Sequence, residues 1–351
     1  MGNGSMTTRC LVVGLGSIGQ RHARNLRSLL GDQLRLSALR STRRSDVVIS
    51  DDLAQSRDDP TVDCDGGVYF DLDRALSDQP DIVVIATPTS LHLPVLRAAL
   101  EIGAAVFVEK PISHDLEGVN EVMALAEDRN ATVAVGCQLR FHPALQSLKS
   151  LTGGGAIGRV LSVRAEQGEY LPSYHPYEDY RQSYAARKDL GGGVVLTQIH
   201  ELDYLQWIFG APTAVYALGG TIGDLEIDVE DSVTALLACE TAARPVPISL
   251  HLDYLQRPPR RGCVVTGAEG SIAVDLLKPS LTWTNADNVI LQEEDYPDFQ
   301  RSELFLAEMR HFLAAASTGS EVAVTLAEGA RALRTAMAIK TSLSSGRVER
   351  P

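Results

Sequence analysis

Three clusters of residues in this chain have types and spacings that could do chemistry. The first, Gly14-Leu15-Gly16-Ser17-Ile18-Gly19, follows the apolar run Leu11-Val12-Val13 and opens a helix-like segment over residues 20–30. Strand, glycines and helix come in the order a dinucleotide site requires. The glycines let the backbone turn tightly and approach a pyrophosphate, and the helix N-terminus offers free N–H donors and a positive dipole end. Gly14, Gly16, Ser17, Ile18 and Gly19 are therefore the candidate pyrophosphate contacts. The second cluster is Glu109-Lys110-Pro111, which ends the apolar run Ala105-Val106-Phe107-Val108. An ammonium at the carboxyl end of a buried strand can hydrogen-bond a substrate hydroxyl and stabilise the oxygen on which charge develops during hydride transfer. A Lys-Pro pair after a strand is also a common surface turn.

The third cluster runs from Gly191-Gly192-Gly193 into a helical stretch that ends at Gly210. On it Thr197, His200, Asp203, Tyr204 and Trp207 fall at helical spacing and are expected to share one face. Histidine is the natural proton carrier near neutral pH, and the Asp203 carboxylate one turn away can orient its ring. A core histidine satisfied by Asp203 fits the same spacing.

The elements that must position these groups can be read from periodicity. Residues 82–86 are a continuous apolar run of the kind a parallel strand buried on both faces shows, and residues 34–39, 105–108 and 132–135 read as further strands. Helices are expected over about 91–102, with Ser90 as N-cap and Gly103 as stop, and after Asp115, with Val119, Val122 and Leu125 on one face. This βαβ succession predicts a doubly wound sheet with ligands at the carboxyl ends of its strands. The polar stretch 40–65 reads as an irregular excursion or hairpin. Beyond Gly136 the pattern changes to strand candidates at 160–165, 214–218, 233–239, 248–252, 263–266 and 272–274, with few helices between them. Helices at about 302–315 and 326–343 close the chain. The fold expected is α/β, a dinucleotide-binding domain over 1–136 and a substrate-binding and oligomerisation domain over 137–351 built on a mostly antiparallel sheet.

Composition narrows the function. With 351 residues, 44% of them hydrophobic, there is ample material for two packed domains. A formal charge of −13 argues against nucleic acid or an anionic membrane surface as partner. The five cysteines have no CxxC or Cys/His spacing, so no metal is expected and a reducing compartment fits. No apolar run is long enough to span a bilayer and no signal-peptide layout precedes Met6, so the expected location is cytoplasmic. Residues 1–5 read as an extension ahead of a natural start at Met6.

A cofactor of this kind is discriminated at the end of the second strand, where an acid would bind the ribose 2′-hydroxyl. The chain reads Arg40-Ser41-Thr42-Arg43-Arg44 there, with no acid. Guanidinium and hydroxyl groups suit a 2′-phosphate, so Arg40, Ser41, Arg43 and Arg44 point to NADP ahead of NAD.

As an ordered set, Gly14 to His22 (GLGSIGQRH), Ala86-Thr87-Pro88-Thr89-Ser90-Leu91-His92, Glu109-Lys110-Pro111 and the triple glycine followed by His200-Glu201-Leu202-Asp203 resemble the Gfo/Idh/MocA family, named for glucose–fructose oxidoreductase, inositol dehydrogenase and a rhizopine-catabolism protein. The resemblance implies an N-terminal Rossmann domain, a C-terminal α/β domain whose large open sheet mediates oligomer contacts, and NAD(P)-dependent oxidation or reduction at a ring carbon of a sugar or cyclitol. It gives Lys110 and His200 the catalytic roles and adds Thr87, Pro88, Thr89, His92 and Glu109 to the cofactor contacts. Many members carry an aspartate one turn before the histidine. Here Leu196 holds that spacing and Thr197 is the nearest polar residue. Thr197 can hydrogen-bond a hydroxyl but cannot act as a general base near neutral pH. Arg140-Phe141-His142-Pro143 resembles a family signature at the domain junction, which makes Arg140 a candidate substrate contact with Thr197, Asp203 and Tyr180. The last lies in the polar, aromatic loop 170–187, suited to a sugar-binding wall.

The expected function is an NADP-preferring oxidoreductase acting on a sugar, sugar derivative or cyclitol, assembled as a homodimer or homotetramer through the C-terminal sheet. Two alternatives stay open. One is a glycoside-cleaving enzyme that cycles a tightly bound NAD, and the other is a non-catalytic NAD(P)-binding regulator.

Overall fold

The computed structural model describes residues 7–40, 48–50, 54–56, 59–61, 63–239 and 244–351. Their contacts divide the chain into two units: one holds the chain up to Cys137 together with Phe305–Gly329, and the other holds Gln138–Leu304 and Ala330–Pro351. The return of residues 305–329 to the first unit has no counterpart in a linear reading.

In the first unit, strands β1 (Thr8–Val13), β2 (Leu34–Leu39), β5 (Gly67–Tyr69), β6 (Ile82–Ile85), β7 (Ala105–Glu109) and β8 (Val133–Gly136) form one sheet in the order β5-β2-β1-β6-β7-β8. Every pairing in it is parallel. A short antiparallel pair, β3 (Val48–Ile49) with β4 (Gln55–Ser56), lies in the excursion after β2. Helices α1 (Ser17–Leu30), α2 (Leu72–Ser77), α3 (His92–Glu101) and α4 (Val119–Asp128) connect the strands. Val12, Val83, Val84, Ile85, Val106, Phe107 and Val108 are buried, as strands covered on both faces require. Met309 and Phe312 complete the same core, the Phe312 ring meeting Phe107 edge-on with centroids 5.6 Å apart. The Val135 N–H also donates to the Val324 carbonyl at 3.0 Å. An amphipathic helix announces that it will be buried but not in which core.

Two helix starts differ from the sequence expectation. Residues 89–91 form a 3-10 turn, so α3 begins at His92 rather than behind a Ser90 cap. Helix α4 starts after Gly118, whose φ of 73° suits a residue without a side chain, and Asp115 instead accepts the Glu117 N–H.

The second unit is built on strands β9 (Val160–Gly168), β10 (Pro212–Gly220), β11 (Ser232–Cys239), β12 (Val246–Asp253), β13 (Arg260–Gly267), β14 (Gly270–Asp275), β15 (Ser280–Asn285) and β16 (Ile290–Asp295). Their order is β10-β11-β12-β9-β13-β14-β15-β16, antiparallel except for β12 beside β9. Helix α5 (Pro143–Gly153) packs on β14 and β15, and α7 (His200–Phe209) on β9 and α5. The single turn α6 (Val194–Thr197) precedes α7. Of the closing helices α8 (Arg301–Thr318) and α9 (Leu326–Ser345), the second ties into this unit where Gln206 Nε2 donates to Thr335 Oγ1 at 3.1 Å. Burial along β11 alternates: Val233, Ala235, Leu237 and Cys239 face the core, while Thr234 and Leu236 lie on the open side.

Candidate active site

β1 ends in Gly14, whose N–H donates to the Leu39 carbonyl at 2.9 Å and whose φ is +96°. A Cβ on Gly14 would stand 2.6 Å from the Ala86 carbonyl oxygen, and one on Gly19 would stand 1.9 Å from the Gly14 oxygen. These two glycines lock the end of β1, the end of β6 and the first turn of α1 together. Gly16 is different. It is the N-cap of α1 in an extended conformation, φ −67° and ψ −174°, with no side-chain cap, and a Cβ there would meet nothing within 4 Å. Ser17 and Ile18, half-buried, begin the helix behind it.

Thr87, Pro88 and Thr89 follow β6 at the same carboxyl edge. Thr87 Oγ1 is buried with no hydrogen-bond partner among the described residues. An open Gly16, an uncapped α1 N-terminus and this orphaned hydroxyl together fit a dinucleotide. Arg40 lies just past β2, half-buried, its N–H on the Tyr69 carbonyl at 3.0 Å. Ser41, Arg43 and Arg44 lie outside the described residues.

At the end of β7, Glu109 is 8% exposed. Its Oε1 accepts from His22 Nε2 at 2.7 Å and its Oε2 accepts the Lys110 N–H at 3.2 Å. Gly136 makes room for it, since a Cβ there would lie 3.2 Å from the carboxyl group. The sequence reading placed Glu109 on the cofactor; the structure puts both of its oxygens on protein donors. His92, also read as a cofactor contact, is buried with Nδ1 2.8 Å from the Pro111 carbonyl and Nε2 2.9 Å from the Thr87 carbonyl. Burial holds this imidazole below its ordinary range, against two carbonyls that favour the protonated form. The two carbonyls belong to the turn after β6 and to the turn after Lys110, and a neutral imidazole, with one N–H, donates to one of them; Lys110 is half-buried and joined to Pro111 by a cis peptide.

In the second unit the glycine turn is shaped by a carboxylate. Gly193 has φ +105°, and its absent Cβ would fall 2.4 Å from Glu230 Oε1. The Val194 N–H donates to the Glu230 carbonyl at 3.0 Å, and Lys340 Nζ holds the Glu230 carboxylate at 3.0 Å. The expected single helix is broken at Gln198–Ile199, so Thr197 ends α6 and His200 begins α7. The break is held by Gln198, whose Nε2 donates to Tyr174 Oη at 2.8 Å and to the Asp253 carbonyl at 3.1 Å. Thr197 and His200 are 8% and 7% exposed, buried but not sealed.

Both acids of α7 take arginine partners. Asp203 takes Arg140 in a fork, Oδ1 to Nη2 at 2.7 Å and Oδ2 to Nε at 3.0 Å, both side chains being buried. Arg140 also lies over the Trp207 ring, 5.6 Å from its centroid. Two residues read separately as substrate contacts are therefore each other's partner. Glu201 forms a second fork with Arg261, at 2.7 and 3.0 Å. Tyr180, half-buried in the 170–187 loop, accepts the Glu226 N–H at 3.3 Å.

Sequence reasoning missed His22, Arg261 and Glu169. His22 stands inside a motif already singled out, but nothing local ties it to Glu109. Glu169 follows β9, and burial pushes its carboxyl group up. His142, in the segment read as a junction signature, is 1% exposed; neither ring nitrogen has a partner among the described residues, and its ring lies 4.8 Å from Phe299. Burial, helped by the Arg261 charge, holds it down at about 4. Among the described residues no group of three His, Cys, Asp or Glu is placed to hold a metal ion, and no helix is long and apolar enough to cross a membrane.

Residues 8–137 match the family model for the "oxidoreductase family, NAD-binding Rossmann fold", and residues 145–273 match the Gfo/Idh/MocA C-terminal domain. A scyllo-inositol 2-dehydrogenase (NAD(+)) of Bacillus subtilis is 26% identical, over 96% of this chain and 94% of that protein. An inositol 2-dehydrogenase of Rhizobium meliloti is 27% identical, over 76% and 79%. A crystal structure of an oxidoreductase from Agrobacterium radiobacter in complex with NAD+, L-tartaric acid and magnesium superposes with a TM-score of 0.80 over 98% of each chain, at 18% identity, a likeness of fold.

Proposed function

Because this chain belongs to the Gfo/Idh/MocA oxidoreductase family, we propose that it moves a hydride between a nicotinamide dinucleotide and a ring carbon of a sugar, sugar derivative or cyclitol. The observation that carries the reading lies within the first unit. Gly14 and Lys110 leave β1 and β7 of one all-parallel sheet at the same carboxyl edge, where such sheets bind ligands. When bound, the nicotinamide supplies the hydride acceptor or donor. Gly14, Gly16 and the first turn of α1 receive the pyrophosphate, with Thr87 and Thr89 beside it. Arg40 favours a 2′-phosphate and hence NADP, while the names of two similar proteins above carry NAD.

In the oxidation direction Lys110 donates from Nζ to the oxygen on the reacting carbon, and His200 takes the hydroxyl proton. Reduction exchanges the acid and base roles. Thr197 and Tyr180 are proposed as substrate contacts, whereas Arg140 and Asp203 act by holding α7 through their mutual fork. The open face of the eight-stranded sheet is the proposed contact between copies of the chain. It bears a depression of about 480 Å³ lined by Tyr216, Leu236, Pro247, Ile248 and Val348, with Leu218, Leu236 and Val348 at least half exposed.

The test is a screen of inositols, aldoses and nucleotide-linked sugars, following reduced nicotinamide with NADP+ and with NAD+. Lys110→Ala should lower turnover by about 10²–10³, and His200→Ala by about 10²–10⁴, with cofactor affinity nearly unchanged in both. Full turnover by either folded variant would remove that residue from the mechanism.

A further inference from the structure

We propose that His22 is a positioning residue for Lys110, acting through Glu109. The inference rests on the reading of Lys110 as the group that meets the substrate oxygen, but the coupling itself is a matter of geometry within the first unit. The His22 side chain is fully buried, and its Nε2 lies 2.7 Å from Glu109 Oε1. For that bond the proton must sit on Nε2. Nδ1 is buried with no partner among the described residues, and the ring is flanked edge-on by Phe107 and Phe305 with centroids 5.0 and 6.5 Å away. The imidazole is thus walled in by groups that accept nothing from it, and its hydrogen-bonding capacity is spent on a single carboxylate oxygen.

That oxygen's twin, Glu109 Oε2, accepts the main-chain N–H of Lys110. A carboxylate buried at the end of a strand must have donors, and His22 supplies the one from outside the strand. With it, Glu109 has one orientation and one free oxygen, aimed at the Lys110 amide. Without it, the carboxyl group must turn toward water or take up a proton, and the amide loses its acceptor. On the far side of Lys110, His92 Nδ1 lies 2.8 Å from the Pro111 carbonyl. The lysine main chain is therefore flanked by two histidines drawn from two different motifs, with Glu109 carrying the hold of His22.

The test uses the full chain and three variants: His22→Leu, which removes the donor, His22→Gln, whose amide N–H can replace Nε2, and Glu109→Gln, which keeps an acceptor for His22 but turns an NH2 toward the Lys110 N–H. Amide hydrogen exchange at Lys110 reads the coupling without any substrate, and turnover of the best polyol from the screen reads its consequence. Exchange at Lys110 should quicken about tenfold or more in His22→Leu and Glu109→Gln and return toward wild type in His22→Gln. The turnover number should fall about tenfold to a hundredfold in the first two and recover in the third, with cofactor affinity within a few-fold throughout, as loss of placement without loss of binding predicts. If His22→Leu does not fold, Glu109→Gln decides alone. Unchanged exchange and turnover in folded Glu109→Gln would overturn the proposal, as would His22→Gln no better than His22→Leu. Full turnover in Lys110→Ala would instead defeat the catalytic reading of the lysine, and exchange at that amide tells the two failures apart.

Discussion

Gly16 and Gly19 belong to one motif, yet the structure predicts opposite phenotypes for them. A Cβ on Gly19 would lie 1.9 Å from the Gly14 carbonyl oxygen, and both sides of that contact are main chain. Relief requires the first turn of α1 to move off the end of β1 by roughly 1 Å or more, so Gly19→Ala should fall at or above the upper end of the about 1–3 kcal/mol that overpacking costs. At Gly16 a Cβ meets nothing within 4 Å and the backbone is extended. The poorer N-cap quality of a larger residue, at most about 1 kcal/mol, is offset by about 0.4–1 kcal/mol from a stiffer unfolded chain. Gly16→Ala and Gly16→Val should therefore keep wild-type stability within about 1 kcal/mol. The valine, however, puts a branched side chain where a pyrophosphate must approach the backbone, and dinucleotide binding should be lost.

Urea unfolding measures the first effect and titration of NADPH or NADH fluorescence the second. Gly19→Ala should unfold at markedly lower urea, and Gly16→Val should unfold like wild type but bind no cofactor. A Gly19→Ala as stable as wild type would show that the close approach of α1 to β1 is not what fixes this turn. A folded Gly16→Val with normal affinity would show that the glycine turn is only structural.

Other outcomes follow from the second unit. His142, held at about 4 by burial, stays neutral in the folded state while the unfolded chain takes up a proton near the ordinary imidazole value of about 6.5. Its contribution is whole above the unfolded value and is lost as pH falls from there toward the folded one, at about 1.4 kcal/mol per pH unit; His142→Asn should flatten stability between pH 6.5 and 4.5, and an unchanged slope would assign the acid sensitivity elsewhere. Glu201→Gln leaves the half-buried Arg261 guanidinium without its counter-charge and should cost up to about 3–5 kcal/mol in urea unfolding, with part regained in the double variant with Arg261→Met. Leu236→Lys on the open sheet face should shift the chain to a smaller species in light scattering while its unfolding midpoint for the folded protomer stays close to wild type; an unchanged mass would move the contact to another surface.

Much of the fold was legible because burial leaves a local imprint. The continuous apolar run at β6 announced a strand covered on both faces, and the closely spaced strand candidates beyond Gly136 announced a mostly antiparallel sheet. What went unread had no such imprint. β16 is Ile-Leu-Gln-Glu-Glu-Asp with every side chain exposed or half-exposed, so it has no apolar face to alternate with, and its strand character comes from pairing with β15. Helix α5 opens on Pro143, an ordinary first-turn residue, but directly behind a segment whose interest lay in Arg140 and His142.

The same distinction governs the site. Residue types and spacings within one segment brought out the glycine turn, Lys110 and His200, because each is announced by its own strand or helix. They could not say what each charged group would face. Asp203 sits one turn along α7 from His200, and helical spacing alone makes it the ring's partner. The structure gives it Arg140, 63 positions away in the chain, just as it gives Glu109 His22, 87 positions away. Both outcomes have one physical cause. A buried carboxylate is held by whichever donor can satisfy both of its oxygens, and a guanidinium fork does this where a single imidazole N–H cannot. Asp203, 2% exposed, therefore pairs with arginine. Glu109 has a main-chain N–H to occupy its second oxygen and can be held by histidine. One turn behind His200 the chain carries Leu196 in place of an acid, and one turn ahead the Asp203 carboxylate already carries a guanidinium fork, so the electrostatics around this imidazole are set in part by a residue from another segment.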